Sequence, residues 1–225
     1  YIFESIKSFL KKNNKLSNEW NSLNIISENA STVGGLDLGI YKSINGTNKV
    51  LSDLQNHDFE IVFLLGQDSL NFKKKSEFII YQGSHGDRGA EIADIILPSA
   101  AYTEQNGYFT NLEGKLQKAY KASYPPGDAK EDWQIINELS EIISSKKIFN
   151  DKEELESSMI NYVNLFLQNN LSKKYLDKNN LNFIKKDITI NNIDYYYSNV
   201  IARSSKTMFN CRSEKLKMKS TGTEG

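Results

Sequence analysis

Three short stretches of mostly apolar residues stand out in the middle of the chain. They span residues 59–68, 76–83 and 93–98 and read FEIVFLLGQD, SEFIIYQG and ADIILP. Each apolar run is strand-sized, lacks the alternation of a half-buried strand, and ends near Gly or Pro. Strands of this kind bury side chains on both sides, so they predict a mostly parallel sheet flanked by helices. The predicted fold class is α/β.

The pattern on either side adds a hairpin and helices. Residues 106–120 hold two turn signals, Asn-Gly and Glu-Gly, beside short alternating stretches, which is typical of a β-hairpin. Residues 1–20 repeat apolar positions at helical spacing. Two helix starts are predicted by capping boxes, one at Asp128 with Glu131 and one at Asp151 with Glu154. The side chains predicted to face the core are Trp133, Ile136, Leu139 and Ile143 on the first of these helices, and Leu155, Met159, Tyr162, Val163 and Phe166 on the second.

These elements predict three parts. Residues 1–148 form a partial α/β domain that begins within the domain, with the hairpin as an insertion. Residues 149–212 form a C-terminal helix and an extended docking segment, in which residues 188–197 suggest a short strand. Residues 213–225 are polar and Lys-rich, so we expect a disordered tail.

Composition excludes several classes of function. Lys and Arg number 28, as do Asp and Glu, so no overall charge attracts nucleic acid. No apolar run approaches the roughly 20 residues that span a bilayer, and we expect no direct membrane insertion. The single cysteine, Cys211, indicates a reducing compartment and cannot supply the about four ligands of an iron–sulfur cluster. A zinc site from Cys211, His57 and His85 has no motif spacing behind it.

The loop after the second predicted strand is the main candidate for chemistry. Residues 83–89 read GSHGDRG, with glycines three residues apart. A dinucleotide fingerprint needs G-x-G-x-x-G and a full helix, whereas only one helical turn, about Ala90 to Ala93, fits before the next strand. The only Gly-Lys pair, at residues 114–115, is followed by Leu, which argues against a P-loop. Nucleotide binding of either type is therefore not expected.

Two interpretations of this loop remain open. In the structural one, glycine lets the backbone turn sharply between two buried strands, Asp87 and Arg88 pair across the turn, and His85 bonds to a backbone carbonyl. In the other, the loop faces a ligand.

Other candidate residues give no support to an enzyme site. Glu91, Asp94 and Glu104 lack the spacing of a proton-transfer pair. Ser84 next to His85 lacks the context of a nucleophile elbow, and Cys211 lies in a polar segment as an expected inert thiol. We therefore expect no catalytic, cofactor-binding or metal-binding residue in this chain.

A run of motifs between residues 81 and 133 resembles one family. The motifs are YQGSHGD, ADIILP, AYTE, NLEG and PPGDAKEDW. They resemble the C-terminal part of the 75 kDa iron–sulfur subunit of NADH–ubiquinone oxidoreductase (respiratory complex I), mitochondrial type, which is similar to molybdopterin oxidoreductases. Segments 36–39, 62–66 and 194–211 are similar to the same family. Ser84 and Ser99 depart from it, since the family usually has His and Gly there.

The resemblance implies a structural, non-redox portion of that subunit. It places the chain in the peripheral arm of complex I, on the matrix side of the mitochondrial inner membrane. The iron–sulfur clusters are expected on an N-terminal half, so this chain is expected to bind none. Its expected partners are other peripheral-arm subunits, above all the chain that carries that half.

Several alternatives stay open at this point. A split gene, a processed product and a partial chain all fit a sequence that starts at Tyr1. The main rival function is a molybdopterin-type oxidoreductase domain that kept its cofactor near residues 83–89. A third possibility is a free-standing α/β interaction domain.

Overall fold

The computed structural model describes residues 2–16, 22–27, 29–40, 47–68, 72–170 and 194–217. These residues form two compact units, and the chain passes between them more than once. The first unit takes the described residues within 1–47, 106–120 and 149–187. The second takes those within 48–105, 121–148 and 188–225. The domain borders suggested by the sequence stay a prediction.

The second unit is built on a three-stranded parallel sheet. After helix α3 (Thr47–Gln55) come strand β1 (Ile61–Leu65), strand β2 (Phe78–Gly83), the single-turn helix α4 (Arg88–Glu91) and strand β3 (Ile95–Pro98). The strands are ordered β1-β2-β3 and are all parallel. The α/β class and all three strands are thus confirmed, and α4 begins two residues before the helical turn that was predicted.

The core of this unit lies on one face of the sheet. Leu64, Ile79 and Tyr81 are buried there, on the two paired strands β1 and β2. The partly buried side chains that pack against them are Val62, Phe72, Ala90, Ile92 and Ala93. The chain between β2 and β3 therefore supplies much of the cover for this face.

The first unit contains the predicted hairpin. Strands β4 (Gly107–Thr110) and β5 (Leu116–Ala119) are antiparallel. Gly114 takes a positive φ of 81° in the turn between them, where other residues would be strained. Helices α1 (Ile2–Lys12) and α2 (Thr32–Asp37) precede the hairpin. The predicted first helix thus ends at Lys12, and residues 17–21 lie outside the described ranges.

Two longer helices follow the hairpin, α5 (Asp132–Ser144) in the second unit and α6 (Lys152–Asn170) in the first. The N-cap of α5 is Glu131, which forms a capping box with Gln134, so the predicted cap at Asp128 is wrong by three residues. The reason is that the chain from Pro126 to Lys130 first makes a turn and a bridge to Ser99. Asp151 does accept from the Glu154 amide at the start of α6, at 2.8 Å.

The predicted apolar stripes are only partly correct. Trp133, Ile136 and Leu139 are half-buried on α5, whereas Ile143 is 76% exposed. On α6 Leu155, Met159 and Val163 are half-buried, whereas Tyr162 is exposed. The side chain of Phe166 lies outside the described part.

The chain closes with a short 3-10 helix (Tyr195–Tyr197) and helices α7 (Val200–Ser204) and α8 (Lys206–Lys217). The strand predicted over 188–197 is therefore wrong for its last residues, while residues 188–193 lie outside the described ranges. The predicted tail is also wrong as far as Lys217, because residues 213–217 continue α8, where Lys217 pairs with Glu214 at 3.0 Å. Of the helices that the structure describes, none combines the length and apolarity needed to cross a bilayer.

Candidate functional site

The glycine loop at residues 83–89 is wrapped around the side chain of Tyr81. The Tyr81 ring is buried, and Gly83 and Gly89 both lie against it. A Cβ on Gly83 would lie 2.3 Å from the Tyr81 hydroxyl oxygen, and one on Gly89 would lie 2.5 Å from the ring and 2.8 Å from the backbone oxygen of Gln67. Real Cβ atoms do not approach so closely, so these two glycines are required by packing.

The Tyr81 hydroxyl is held by two acceptors. It lies 3.0 Å from Asp68 Oδ2 and 3.1 Å from the backbone oxygen of His85. Burial raises the pKa of the Tyr81 phenol, and the hydrogen bond and negative charge of Asp68 raise it further. Tyr81 is therefore a neutral donor that links the loop to the segment after β1.

Two carboxylates of the chain occupy the start of helix α4. Asp87 accepts from the Arg88 amide at 2.9 Å, and Asp68 accepts from the Gly89 amide at 3.2 Å. Amides at a helix start are the donors that a bound phosphate would use. In this loop they are already bound to the chain's own anions, and Tyr81 fills the space behind them. The loop therefore does not fit the phosphate group of a pterin or nucleotide cofactor.

The Asp87 carboxylate has a second partner from the end of the chain. Arg203 Nε, on α7, donates to Asp87 Oδ2 at 2.6 Å, and both side chains are partly buried. Burial acts to raise the pKa of Asp87, but the bonds from Arg203 and the Arg88 amide outweigh it and hold that pKa below its usual value. The expected partner, Arg88, contributes its amide and a weaker charge effect, so the predicted Asp87–Arg88 side-chain pair is wrong.

The two neighbouring residues Ser84 and His85 contact each other. Ser84 Oγ lies 2.9 Å from His85 Nδ1, and the predicted bond from His85 to a carbonyl is replaced by this contact. The backbone oxygen of His85 is itself the acceptor for Tyr81, as described above.

The acids singled out from the sequence have separate structural roles. Asp94 accepts from the Ile79 amide at 2.7 Å and from Lys74 Nζ at 2.5 Å, and these bonds lower its pKa. Glu104 accepts from the Ala101 amide at 2.9 Å, and Glu91 is exposed on α4. The structure therefore does not bring these three acids together around one acceptor or substrate position.

His57 pairs with a buried acid. Its Nδ1 contacts Glu77 Oε1, and Glu77, which is 2% exposed, also accepts from the Lys75 amide at 2.7 Å. Burial alone would raise the pKa of Glu77, but the Lys75 amide and His57 together lower it. The pair fixes the segment before β2 to the chain after α3.

Cys211 is an exposed free thiol on α8. Among the described residues, no group of three or more His, Cys, Asp or Glu could hold a metal ion.

The first unit contains an apolar cavity of about 440 Å³ between α2, the hairpin and α6. Its lining includes Leu38, Leu116 and Met159. Two polar groups on its wall are bound within the chain. Thr110 Oγ1 donates to Asp37 at 3.0 Å, and the Tyr108 hydroxyl donates to Glu156 at 2.9 Å. The cavity is therefore mainly apolar, and these two hydroxyl groups donate to carboxylates of the chain itself.

Sequence reasoning found the loop but missed what fills it. Tyr81 was assigned to a buried strand, and nothing in its local sequence shows that its ring would turn into the loop. Asp68 and Arg203 lie 13 residues before and 116 residues after their partners Tyr81 and Asp87. The one available signal was the pair of glycines that flank the ring, because glycine is required where a neighbouring group comes close.

Comparison with known proteins agrees with the fold. The family model of molybdopterin oxidoreductases matches residues 1–142. An NADH-quinone oxidoreductase subunit from Rickettsia bellii is 40% identical over 98% of this chain and 32% of its own length. The NADH-ubiquinone oxidoreductase 75 kDa subunit of Reclinomonas americana is 37% identical over 94% of this chain and 31% of its own length. The mitochondrial 78 kDa subunit of NADH-ubiquinone oxidoreductase from Candida albicans is 34% identical over 94% of this chain and 30% of its own length.

The chain spans about a third of the length of these curated relatives. Their names confirm the resemblance to the large subunit of NADH–quinone oxidoreductases that the motifs predicted. The match of the family model covers well over half of the sequence. The chain belongs to the molybdopterin oxidoreductase family.

Proposed function

We propose that this chain is a structural, non-redox portion of the large iron–sulfur subunit of an NADH–quinone oxidoreductase. In this proposal it lies in the peripheral arm of the complex and supports electron transfer from NADH to the quinone. The iron–sulfur clusters are carried by another polypeptide or by a region outside this sequence. Relatives of both mitochondrial and bacterial origin support a place in such a complex, and the mitochondrial matrix side of the inner membrane is the location we propose.

One observation carries the non-redox part of the proposal. The loop that could have held a cofactor is filled by Tyr81, and the first amides of α4 bind Asp68 and Asp87. A buried ring with a satisfied hydroxyl is a packing element. The loop thus serves the stability of the sheet and the attachment of the chain's C-terminal segment through Arg203.

Native electrophoresis of membranes from the source organism tests the role in the complex. The band with NADH dehydrogenase activity should contain this chain at a constant ratio to the polypeptide that carries the iron–sulfur clusters, as measured by mass spectrometry. A chain that is found only outside the active band contradicts the proposal.

The rival function is a pterin-dependent oxidoreductase, which the family membership favours. Metal analysis and pterin fluorescence of the purified chain separate the two. We expect molybdenum, tungsten and pterin all well below one equivalent. A stoichiometric amount of pterin or of either metal supports the rival and contradicts our proposal.

A further inference from the structure

Among the described residues, the sheet of the second unit has a face on which several large apolar side chains are exposed. Register pairs β1 residues 61, 63 and 65 with β2 residues 78, 80 and 82, and pairs residues 80 and 82 with β3 residues 95 and 97. Paired residues of parallel strands point to the same side of the sheet. We call this side the open face, and its apolar members are Ile61, Phe63, Leu65, Phe78, Ile80, Ile95 and Leu97.

Along β1 and at the start of β2, exposure differs sharply between the two sides of the sheet. On the open face Ile61, Leu65 and Phe78 are 64%, 53% and 44% exposed. Their chain neighbours on the other side, Leu64 and Ile79, are 6% and 0% exposed. The open face is covered at Gln82, which is 0% exposed and donates to Asp132 at the start of α5, and on the other side Ile96 is 52% exposed. The contrast between the two sides therefore belongs to β1 and the start of β2.

Such an open face conflicts with the sequence that forms it. The strands β1 and β2 are apolar at nearly every position, a pattern that belongs to sheets covered on both faces. Parallel sheets are almost always buried on both sides, because an apolar face in water is unfavourable in proportion to its area. A contiguous patch of this kind marks an interaction surface.

The length of the relatives points to what covers it. In each of them more than two thirds of the polypeptide lies outside the region matched by this chain. We propose that the open face is the docking surface for that remaining polypeptide, which covers it with an apolar helix face, as helices cover parallel sheets in α/β domains. This inference rests on the proposed function and identifies the partner surface within it.

Charge substitution on the open face tests the docking. Tagged full chains carrying Ile61→Lys or Ile95→Lys are produced in the source organism, with Ile142→Lys as the matched control. Ile142 is 81% exposed on α5, outside the sheet, so the control makes the same chemical change at an exposed position. A lysine pressed against an apolar helix face is costly, and we expect at least about a tenfold loss of recovery in the complex for the two face variants. The control should match the wild-type chain.

Folding and partner identity are measured separately. Ile61 and Ile95 are already substantially exposed, so the variants should keep the far-UV circular dichroism and urea midpoint of the wild-type chain. A benzoylphenylalanine at position 65 should cross-link to a polypeptide whose sequence matches the unmatched region of the relatives, while one at position 142 should not.

The outcomes distinguish this inference from the proposed function. If the wild-type chain is in the active complex but the face variants enter it equally well, the docking inference is wrong and the proposed function stands. If position 65 cross-links to a second copy of this chain, the face is a dimer interface and the inference is wrong. If the wild-type chain is absent from the active complex, the proposed function and the docking inference are both wrong.

Discussion

Arg203 and Asp87 are joined by a hydrogen bond of 2.6 Å although 116 residues separate them in the sequence. The bond ties helix α7 near the end of the chain to the glycine loop after β2. Tyr81 supports the same loop from inside through Asp68 and the His85 carbonyl. The loop is thus fixed from two sides by groups of this chain.

The Arg203–Asp87 pair should contribute measurably to stability. A double-mutant cycle with Arg203→Gln and Asp87→Asn should give a coupling energy of about 1 kcal/mol in urea unfolding, because both side chains are partly shielded from solvent. The same cycle on Lys217 and Glu214, which are 72% exposed, should give less than about 0.5 kcal/mol. Equal coupling in the two pairs contradicts the assigned role of Arg203.

The glycines of the loop should differ in their tolerance of a side chain. Gly89→Ala should lower the free energy of unfolding by about 1–3 kcal/mol, since its Cβ meets both the Tyr81 ring and the Gln67 backbone. Gly86→Ala is the matched control, because nothing lies within 4 Å of a Cβ there, and it should change stability by less than about 0.5 kcal/mol. Urea denaturation followed by circular dichroism measures both. A harmful Gly86→Ala with a neutral Gly89→Ala would contradict the packing role assigned to Gly89.

Glu77 should make stability depend on pH in the acid range. Its pKa in the folded state is lowered, so its carboxylate stabilises the fold above the usual glutamate pKa of about 4.3. This contribution is lost as the pH falls from that value through the lower folded-state pKa. Glu77→Gln should therefore flatten the pH dependence of the unfolding midpoint in this window. Glu113→Gln, at an exposed hairpin position, should leave the slope of the wild-type chain unchanged, and an unchanged slope in Glu77→Gln would contradict the prediction.

The start of helix α5 offers a test of the revised cap. Glu131→Ala removes a capping box and should cost about 1 kcal/mol of unfolding free energy. Asp128→Ala, at the position favoured by the sequence pattern, should cost less than about 0.5 kcal/mol because it lies before the helix. Thermal unfolding of the two variants compares them directly. A larger loss for Asp128→Ala would restore the earlier position of the cap.

Local patterns predicted the elements better than their ends or their contacts. The apolar runs located β1, β2 and β3, and the Asn-Gly and Glu-Gly turns located the hairpin, because these signals act between residues close in sequence. The cap of α5 was misplaced because Asp128 is a preferred N-cap residue type, whereas the bridge between Lys130 and Ser99 delays the helix so that Glu131 becomes the N-cap. Ile143 has the helical spacing of a core residue, yet what covers a helix is set by distant segments.

The candidate site shows the same division. The glycine spacing excluded a dinucleotide fingerprint, and the motif run led to the correct family. The sequence left open whether the loop packs against its own chain or binds a ligand. That choice depends on where the Tyr81 ring lies and on which carboxylates reach the α4 amides.

By itself the sequence determined the α/β class, the order of the strands along the chain and the family, since all three follow from short-range apolar pattern and motif. Only the tertiary structure decided that Tyr81 fills the loop, that Arg203 holds Asp87, and that part of one face of the sheet stays exposed. The physical reason is that burial and ion pairing join residues far apart in the chain. A pattern along the sequence does not show which of those residues meet in space.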